Sequence, residues 1–294
     1  LTVSDGITSS WRAFTLHVTP VNDPPAVAAL PDQALQLASG PGLITVAVVD
    51  KDTPATGLVF SASCSNAALF APGGLVFTGT GYTRTLAFTP VAGAMGAADI
   101  IVSVLDGSNA VPAPFHATVA RLVDATALPL AIPPAGMTGV TTSLVQVGTL
   151  GRIVDLDVAL DAAYPETADL RVRLFAPDGS VLTLVDGAGG AREDFTGTVF
   201  DDEAETPVIF GAAPFTGRFK PTTPLAAFTN KTTAGTWRLE VEDLGTNFTG
   251  ALLAWQLRFV TVPDAVAPVI SLLGGSNVVV AWGSVFTDPG AIAT

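Results

Sequence analysis

The chain has 294 residues, 49% of them apolar and 13% charged, with 29 glycines and 22 prolines, which is too apolar for a disordered segment and enough to build a core in two or more domains. Its 26 acidic against 13 basic side chains leave a formal charge of −13, and only Lys51, Lys220 and Lys231 are lysines. Nucleic acid and anionic membrane are therefore disfavoured as partners, because phosphate contacts need clustered cations.

The chain opens on a repeat. Leu1-Thr-Val-Ser-Asp5-Gly6 matches Val102-Ser-Val-Leu-Asp106-Gly107, and nine residues beyond each Asp stands Phe14 or Phe115, an offset of 101. Leu16 and Val18 correspond to Ala117 and Val119 at the every-second-residue spacing of half-buried strands. Residues 24–123 then form one complete unit, and residues 1–23 are the tail of a predecessor. Inside that unit Ile44–Val49, Leu75–Phe77, Arg84–Phe88 and Ile100–Leu105 alternate between turns rich in Gly, Pro and Asp. Short strands at this spacing predict a β-sandwich.

The junction Val21-Asn22-Asp23-Pro24-Pro25 and the later Asp50-Lys51-Asp52 resemble bacterial cadherin-like repeats, as do Ser65-Asn66, Gly79-x-Gly81, Arg84-Thr-Leu86, Thr89-Pro90 and Asp106-Gly107. The resemblance implies a calcium site at Asn22, Asp23, Asp50 and Asp52. Physical chemistry agrees: calcium takes six to eight oxygens, and three carboxylates forced together destabilise a fold unless they are neutralised. The alternative is a solvated acidic turn. For Asp5 and Asp106, the Asp-Gly pair by itself predicts a hairpin turn.

From about Thr126 the period is lost. Residues 124–136, with Leu128-Pro-Leu-Ala-Ile-Pro133, read as a Pro-rich linker. After it Val154, Leu156, Val158 and Leu160 alternate with Asp155, Asp157, Ala159 and Asp161. Leu170, Val172 and Leu174 alternate with arginines; Trp237, Leu239 and Val241, and then Trp255, Leu257 and Phe259, alternate with polar residues. One wet and one dry face on each strand predicts a second antiparallel sandwich.

The order of these segments resembles the P domain, also called Homo B, that follows the subtilisin-like catalytic domain of proprotein convertases and occurs in bacterial secreted proteins. The likeness spans about 137–263. It is carried by Asp169-Leu170, Phe175-x-Pro177-Asp178-Gly179, Gly189-Gly190, Asp194-Phe195 and Thr198-x-Phe200-Asp201-Asp202-Glu203-Ala204. It continues through Pro214-Phe215-Thr216-Gly217-x-Phe219-x-Pro221, Pro224-Leu225, Gly235-x-Trp237, Asp243 and Gly250-x-Leu252-x-x-Trp255. Asp201-Asp202-Glu203, with Asp169 and Asp194 nearby in the family pattern, make a second candidate calcium site, carried above all by Asp169, Asp201 and Asp202, against the alternative of a solvated acidic loop. Trp237 and Trp255 invite a sugar-stacking role, but their alternation with charged residues places them in the core. Residues 264–294 resemble the opening of a bacterial immunoglobulin-like repeat, through Ala267–Gly275, Val278–Ala281, Gly283 and Thr287–Ala291.

Catalytic signals are few. His17 and His116 are the only histidines, each between inward-facing strand positions, and neither a nucleophile elbow nor a phosphate loop is present. Cys64 cannot form an internal disulfide and reads as a small buried residue. No run of about 18 apolar residues occurs, so no membrane span is expected. Leu1 opens within a strand pattern with no leader ahead of it, which reads as a fragment of something longer.

These features predict an all-β chain of tandem antiparallel sandwiches. The leading expectation is a non-catalytic, calcium-binding stalk or interaction segment of a secreted or cell-surface bacterial protein. Its partners would be other domains of the same chain, surface proteins or a subtilisin-like catalytic domain. The alternatives are the accessory region of a secreted subtilisin-like serine endopeptidase and, less favoured, a carbohydrate-binding module.

Overall fold

The computed structural model describes residues 1–293 except 20, 134–136, 265–269, 274–276, 281 and 286, and divides into two compact units, Leu1–Ala120 and Arg121–Thr294. It is all-β: among the described residues the only helical elements are short 3₁₀ turns.

In the first unit, β1 (Thr2–Ser4) and β2 (Ser9–Trp11) form a hairpin. There follow β3 (Ala26–Val27), β4 (Gln33–Gln36), β5 (Gly42–Val49), β6 (Val59–Cys64), β7 (Leu75–Thr78), β8 (Thr83–Phe88), β9 (Gly96–Leu105) and β10 (Ala110–Asp124). One sheet runs β3-β5-β8-β7; facing it, β4, β10, β9 and β6 pair in that order, with β4 parallel to β10. Period-2 alternation decides the core: Ile44, Val46 and Val48 point in with Leu86, Phe88, Val102, Val104, Phe115 and Val119, while Leu43 and Val49 at either end of that row are exposed. The repeat has unequal fates. Val102, Val104, Phe115 and Val119 are buried, yet their counterparts Leu1, Val3, Phe14 and Val18 stand exposed.

Residues Arg121–Asp124 at the end of β10 pair with β19 (Gly250–Val262) in the second unit. The remaining strands there are β11 (Leu130–Ile132), β12 (Gly139–Val147), β13 (Arg152–Ala163), β14 (Leu170–Phe175), β15 (Val181–Asp186), β16 (Phe195–Phe200), β17 (Phe215–Phe219) and β18 (Gly235–Asp243). One sheet is β12-β18-β14-β15; the other runs β17-β16-β13-β19, with β11 on β19. Between them lie Trp237, Phe259, Phe228, Phe195, Phe215 and the aliphatic rows of β13, β14 and β18.

Two expectations are corrected here. The stretch read as a linker contains β11, whose Ile132 is fully buried because its side chain completes the core against β19; Pro134–Gly136 lie outside the described residues. On β13 the simple alternation fails, since a register shift between Ile153 and Asp155 makes Ile153 the buried residue and leaves Val154 exposed. A bulge adds one residue and reverses which side chains face inward. Beyond Asp264, β20 (Ile270–Leu272) pairs with β21 (Ala291–Ala293), while Ala267, Gly274-Gly275 and Ala281 of the expected repeat lie outside the described residues. No helix among the described residues is long and apolar enough to cross a membrane.

Candidate functional site

Strand ends leave backbone amides without ladder partners, and in the first unit acidic side chains occupy three such ends. Asp50, after β5, accepts the amides of Asp52 at 3.1 Å and Thr53 at 2.8 Å. Asp106, after β9, accepts those of Ser108 at 2.9 Å and Asn109 at 2.7 Å. Both are Asp-centred turns. Asp5 makes the same turn, accepting the amides of Ile7 and Thr8 and the Thr8 hydroxyl, all within its own hairpin. Asn22 and Asp23, ahead of β3, are drawn in between: Asn22 Nδ2 donates to Asp106 Oδ2 at 2.7 Å, Asn22 Oδ1 accepts the Thr53 hydroxyl at 3.3 Å, and the Asp23 amide donates to Asp52 Oδ2 at 3.0 Å. Asn22, Asp23, Asp50 and Asp52 thus meet in one place, and Asp106 joins them.

The electrostatics bear on whether a cation fits. The Thr53 amide lowers the pKa of Asp50, with burial and the charge of Asp106 acting the other way. Burial also opposes ionisation of Asp106, but the amides of Asn109 and Ser108 and the side chains of Asn109 and Asn22 outweigh it and hold its carboxyl well below the usual range. Asp50 Oδ2 is buried and has no hydrogen-bond partner. An ionised carboxylate with an orphan oxygen beside a second carboxylate suits a hard, oxygen-seeking ion. One cation is already present: Lys51 Nζ lies 3.2 Å from Asp23 Oδ2. Among the described residues no three His, Cys, Asp or Glu side chains converge as a ready-made metal centre.

The second predicted set is not brought together. Asp202 caps the turn Leu225–Phe228, accepting the amides of Leu225 at 3.0 Å and Ala226 at 2.8 Å. Asp201 is 3% exposed and bound by Arg218 at 2.7 Å. Burial opposes its ionisation, yet the guanidinium and the Glu203 amide hold its carboxyl below the ordinary value. Around it sit Glu203, pushed up to about 7 by burial and by the neighbouring Asp201, and Asp157, 4% exposed and raised well above the ordinary value by burial and by Asp201 and Asp155. Asp169 ends a short 3₁₀ turn just ahead of β14, at the edge of the other sheet, and its carbonyl accepts the Leu244 amide at 2.9 Å. Asp194 Oδ1 accepts the Tyr164 amide at 2.8 Å.

Arg218 and Asp157 carried no signal in the sequence. Arg218 is the unassigned position of its motif, and Asp157 looked like one more wet-face residue.

Neither histidine forms a catalytic pair. His17 is exposed. His116, expected to face outward, has a side chain only 12% exposed, with Nδ1 2.8 Å from Asp99 Oδ1 and a buried Nε2 that has no hydrogen-bond partner. Cys64, expected to be buried, is half-buried and shares contacts with Asn66. Trp237 (0% exposed) and Trp255 (2%) lie in the core and offer no sugar platform.

A family model described as the proprotein convertase P-domain matches residues 153–259, the heart of the second unit. Solved structures similar to parts of this chain include the serine protease of Aeromonas sobria, 18% identical, with a TM-score of 0.29 and a match covering 47% of this chain and 27% of that one. Others are the N-terminal Ig1-2 module of a Drosophila receptor protein tyrosine phosphatase (15% identity, 41% and 65% covered, TM-score 0.26) and the titin M3 domain (11%, 32% and 95%, TM-score 0.26).

Proposed function

We propose that this chain is a non-catalytic accessory region of a secreted bacterial protein whose catalytic part is a subtilisin-like serine endopeptidase. The observation that supports the reading is the P-domain match over residues 153–259, which falls within a two-sheet sandwich that has its own core. P domains accompany such catalytic domains, and the chemistry of this chain suits support more than turnover. Its two histidines are an exposed one and one held against Asp99, and Ser143, Thr198 and Thr233 are spent on structural hydrogen bonds. The sandwich would dock on the catalytic domain and stabilise it.

The producing organism offers the test. Antibody raised against the second unit is used to precipitate the intact protein from culture supernatant, which is then treated with a fluorophosphonate probe for active serines. A labelled band carrying this chain is expected. A precipitated full-length protein that stays unlabelled would refute the reading.

A second role in the same protein is favoured by the orphan Asp50 Oδ2 among Asp23, Asp52 and Asp106. The first unit would be a cadherin-like module holding calcium at Asn22, Asp23, Asp50 and Asp52, stiffening its junction with a preceding module. Residues 264–294 would begin an immunoglobulin-like repeat. Extracellular sites of this kind bind calcium with Kd on the order of 10⁻⁴–10⁻³ M, so the ion would be held outside the cell.

A further inference from the structure

The inward row of β18 reads Trp237, Leu239, Val241 and then Asp243, so an apolar period ends on a carboxylate at a core position. Asp243 is 1% exposed. Its Oδ1 accepts the Tyr164 hydroxyl at 2.8 Å and the Gly245 amide at 3.0 Å, while its Oδ2 is buried with no hydrogen-bond partner. Asp169 ends the 3₁₀ turn Thr167–Asp169 just ahead of β14, next to the register pair Leu170 and Asp243, and its carboxylate lies directly over Gly245, where an added Cβ would overlap Oδ2. Glycine at 245 is therefore what lets the two carboxylates close on one space.

The Tyr164 hydroxyl senses that space. Burial, the bond to Asp243, and the charges of Asp243, Asp169 and Glu166 all push its pKa upward. Among the described residues no lysine, arginine or histidine pairs with Asp169, Asp243 or Glu166. The nearest arginines in sequence, Arg171 and Arg173, are committed to Asp186, Glu240 and Glu242 on the outward face. Water would satisfy the orphan oxygen but leave the negative charges facing each other; a divalent cation relieves both costs. With neither histidine nor thiol at hand, the donors are all oxygen, which selects a hard ion.

We propose that Asp243 and Asp169 form a binding site for a hard divalent cation of the calcium class at the end of the second unit. Backbone carbonyls and water complete the shell, and Glu166 adds a further negative charge at its rim. The site is separate from the Asn22–Asp106 cluster and does not depend on whether a catalytic domain accompanies this chain.

The test uses the whole chain carrying Asp50→Asn and Asp52→Asn, which disable the cluster in the first unit. Calcium is titrated by calorimetry, and terbium by its sensitised emission. One ion per chain is expected to bind, with calcium raising the thermal midpoint. Asp169→Asn, at a partly exposed residue, should weaken binding by about tenfold or more, and Gly245→Ala, which displaces the Asp169 carboxylate, should do the same. Asp243→Asn should abolish binding; if that variant does not fold, the other two decide. An unchanged calcium affinity in Asp169→Asn and Gly245→Ala, or no binding to the parent at about 10 mM calcium, overturns the proposal.

Discussion

The indole N–H of Trp255 on β19 donates to the hydroxyl of Ser143 on β12 at 2.8 Å, so a hydrogen bond ties the two sheets of the second unit through its interior. Trp255→Ala removes the ring and strands a buried hydroxyl, and is expected to lower stability by about 3–5 kcal/mol in urea unfolding. Trp255→Phe isolates the polar contribution and should cost about 1–3 kcal/mol. A Trp255→Ala protein of parental stability that had lost only glycan affinity would contradict the core assignment.

Arg218 neutralises the buried Asp201. Arg218→Ala leaves that carboxylate uncompensated and should destabilise by about 3–5 kcal/mol. Pairing Arg218→Met with Asp201→Asn should recover much of the loss, because no charge then stays buried alone. Equal stability of the single and double variants would show that the pair is not coupled.

Glu203 sets a pH dependence. In the unfolded chain it ionises near 4.5, in the folded protein near 7, so between these values the folded state holds the extra proton. Its contribution is complete below pH 4.5 and is lost as pH rises through 7, and Asp157 acts in the same direction. Asp178, held at about 2 by Lys231 and Ser180, acts oppositely, its contribution fading as pH falls below 3.8. The urea midpoint should therefore be higher at about pH 5 than at about pH 7.5, with Glu203→Gln flattening the difference. An equal slope in that variant would assign the effect elsewhere.

Calcium saturating the Asn22–Asp106 cluster at 100 times its Kd should stabilise the first unit by about 2.7 kcal/mol, and Asp50→Asn with Asp52→Asn should remove that increment. Scanning calorimetry with and without chelator reads it. A first-unit transition indifferent to chelator would exclude the ion there.

Gly189 combines two constraints: φ is +93°, and an added Cβ would run into Thr167 Oγ1 and lie 2.7 Å from Phe215 Cε2. Gly189→Ala should cost about 2–4 kcal/mol, read by the thermal midpoint. No loss would mean that the loop re-forms freely.

The inward rows of β5 and β14, and Trp237–Val241 and Trp255–Phe259 within β18 and β19, were legible because their apolar residues recur at every second position, and the P-domain motifs were legible because their residues keep a fixed order. The grouping of Asn22, Asp23, Asp50 and Asp52 was implied by the resemblance to cadherin-like repeats. Less was visible where one inserted residue or one distant partner decides. The bulge at Val154 exchanges faces without altering composition. Strand β11 hides among prolines, since three residues carry too short a pattern to distinguish a strand from a linker.

Composition and alternation alone determined that this chain is all-β, acidic, and built around two apolar interiors, because burial of every second residue is a local property of a strand. Which carboxylates act as turn caps, which is answered by Arg218, and which is left with an unmatched oxygen was decided only by the tertiary fold. Asp169, Asp201 and Asp202 look alike in the sequence, yet Asp169 ends the turn ahead of β14 while Asp201 and Asp202 follow β16, each with different partners. A carboxylate's charge state and partners are set by the few ångströms around it, and those neighbours come from strands tens of residues away.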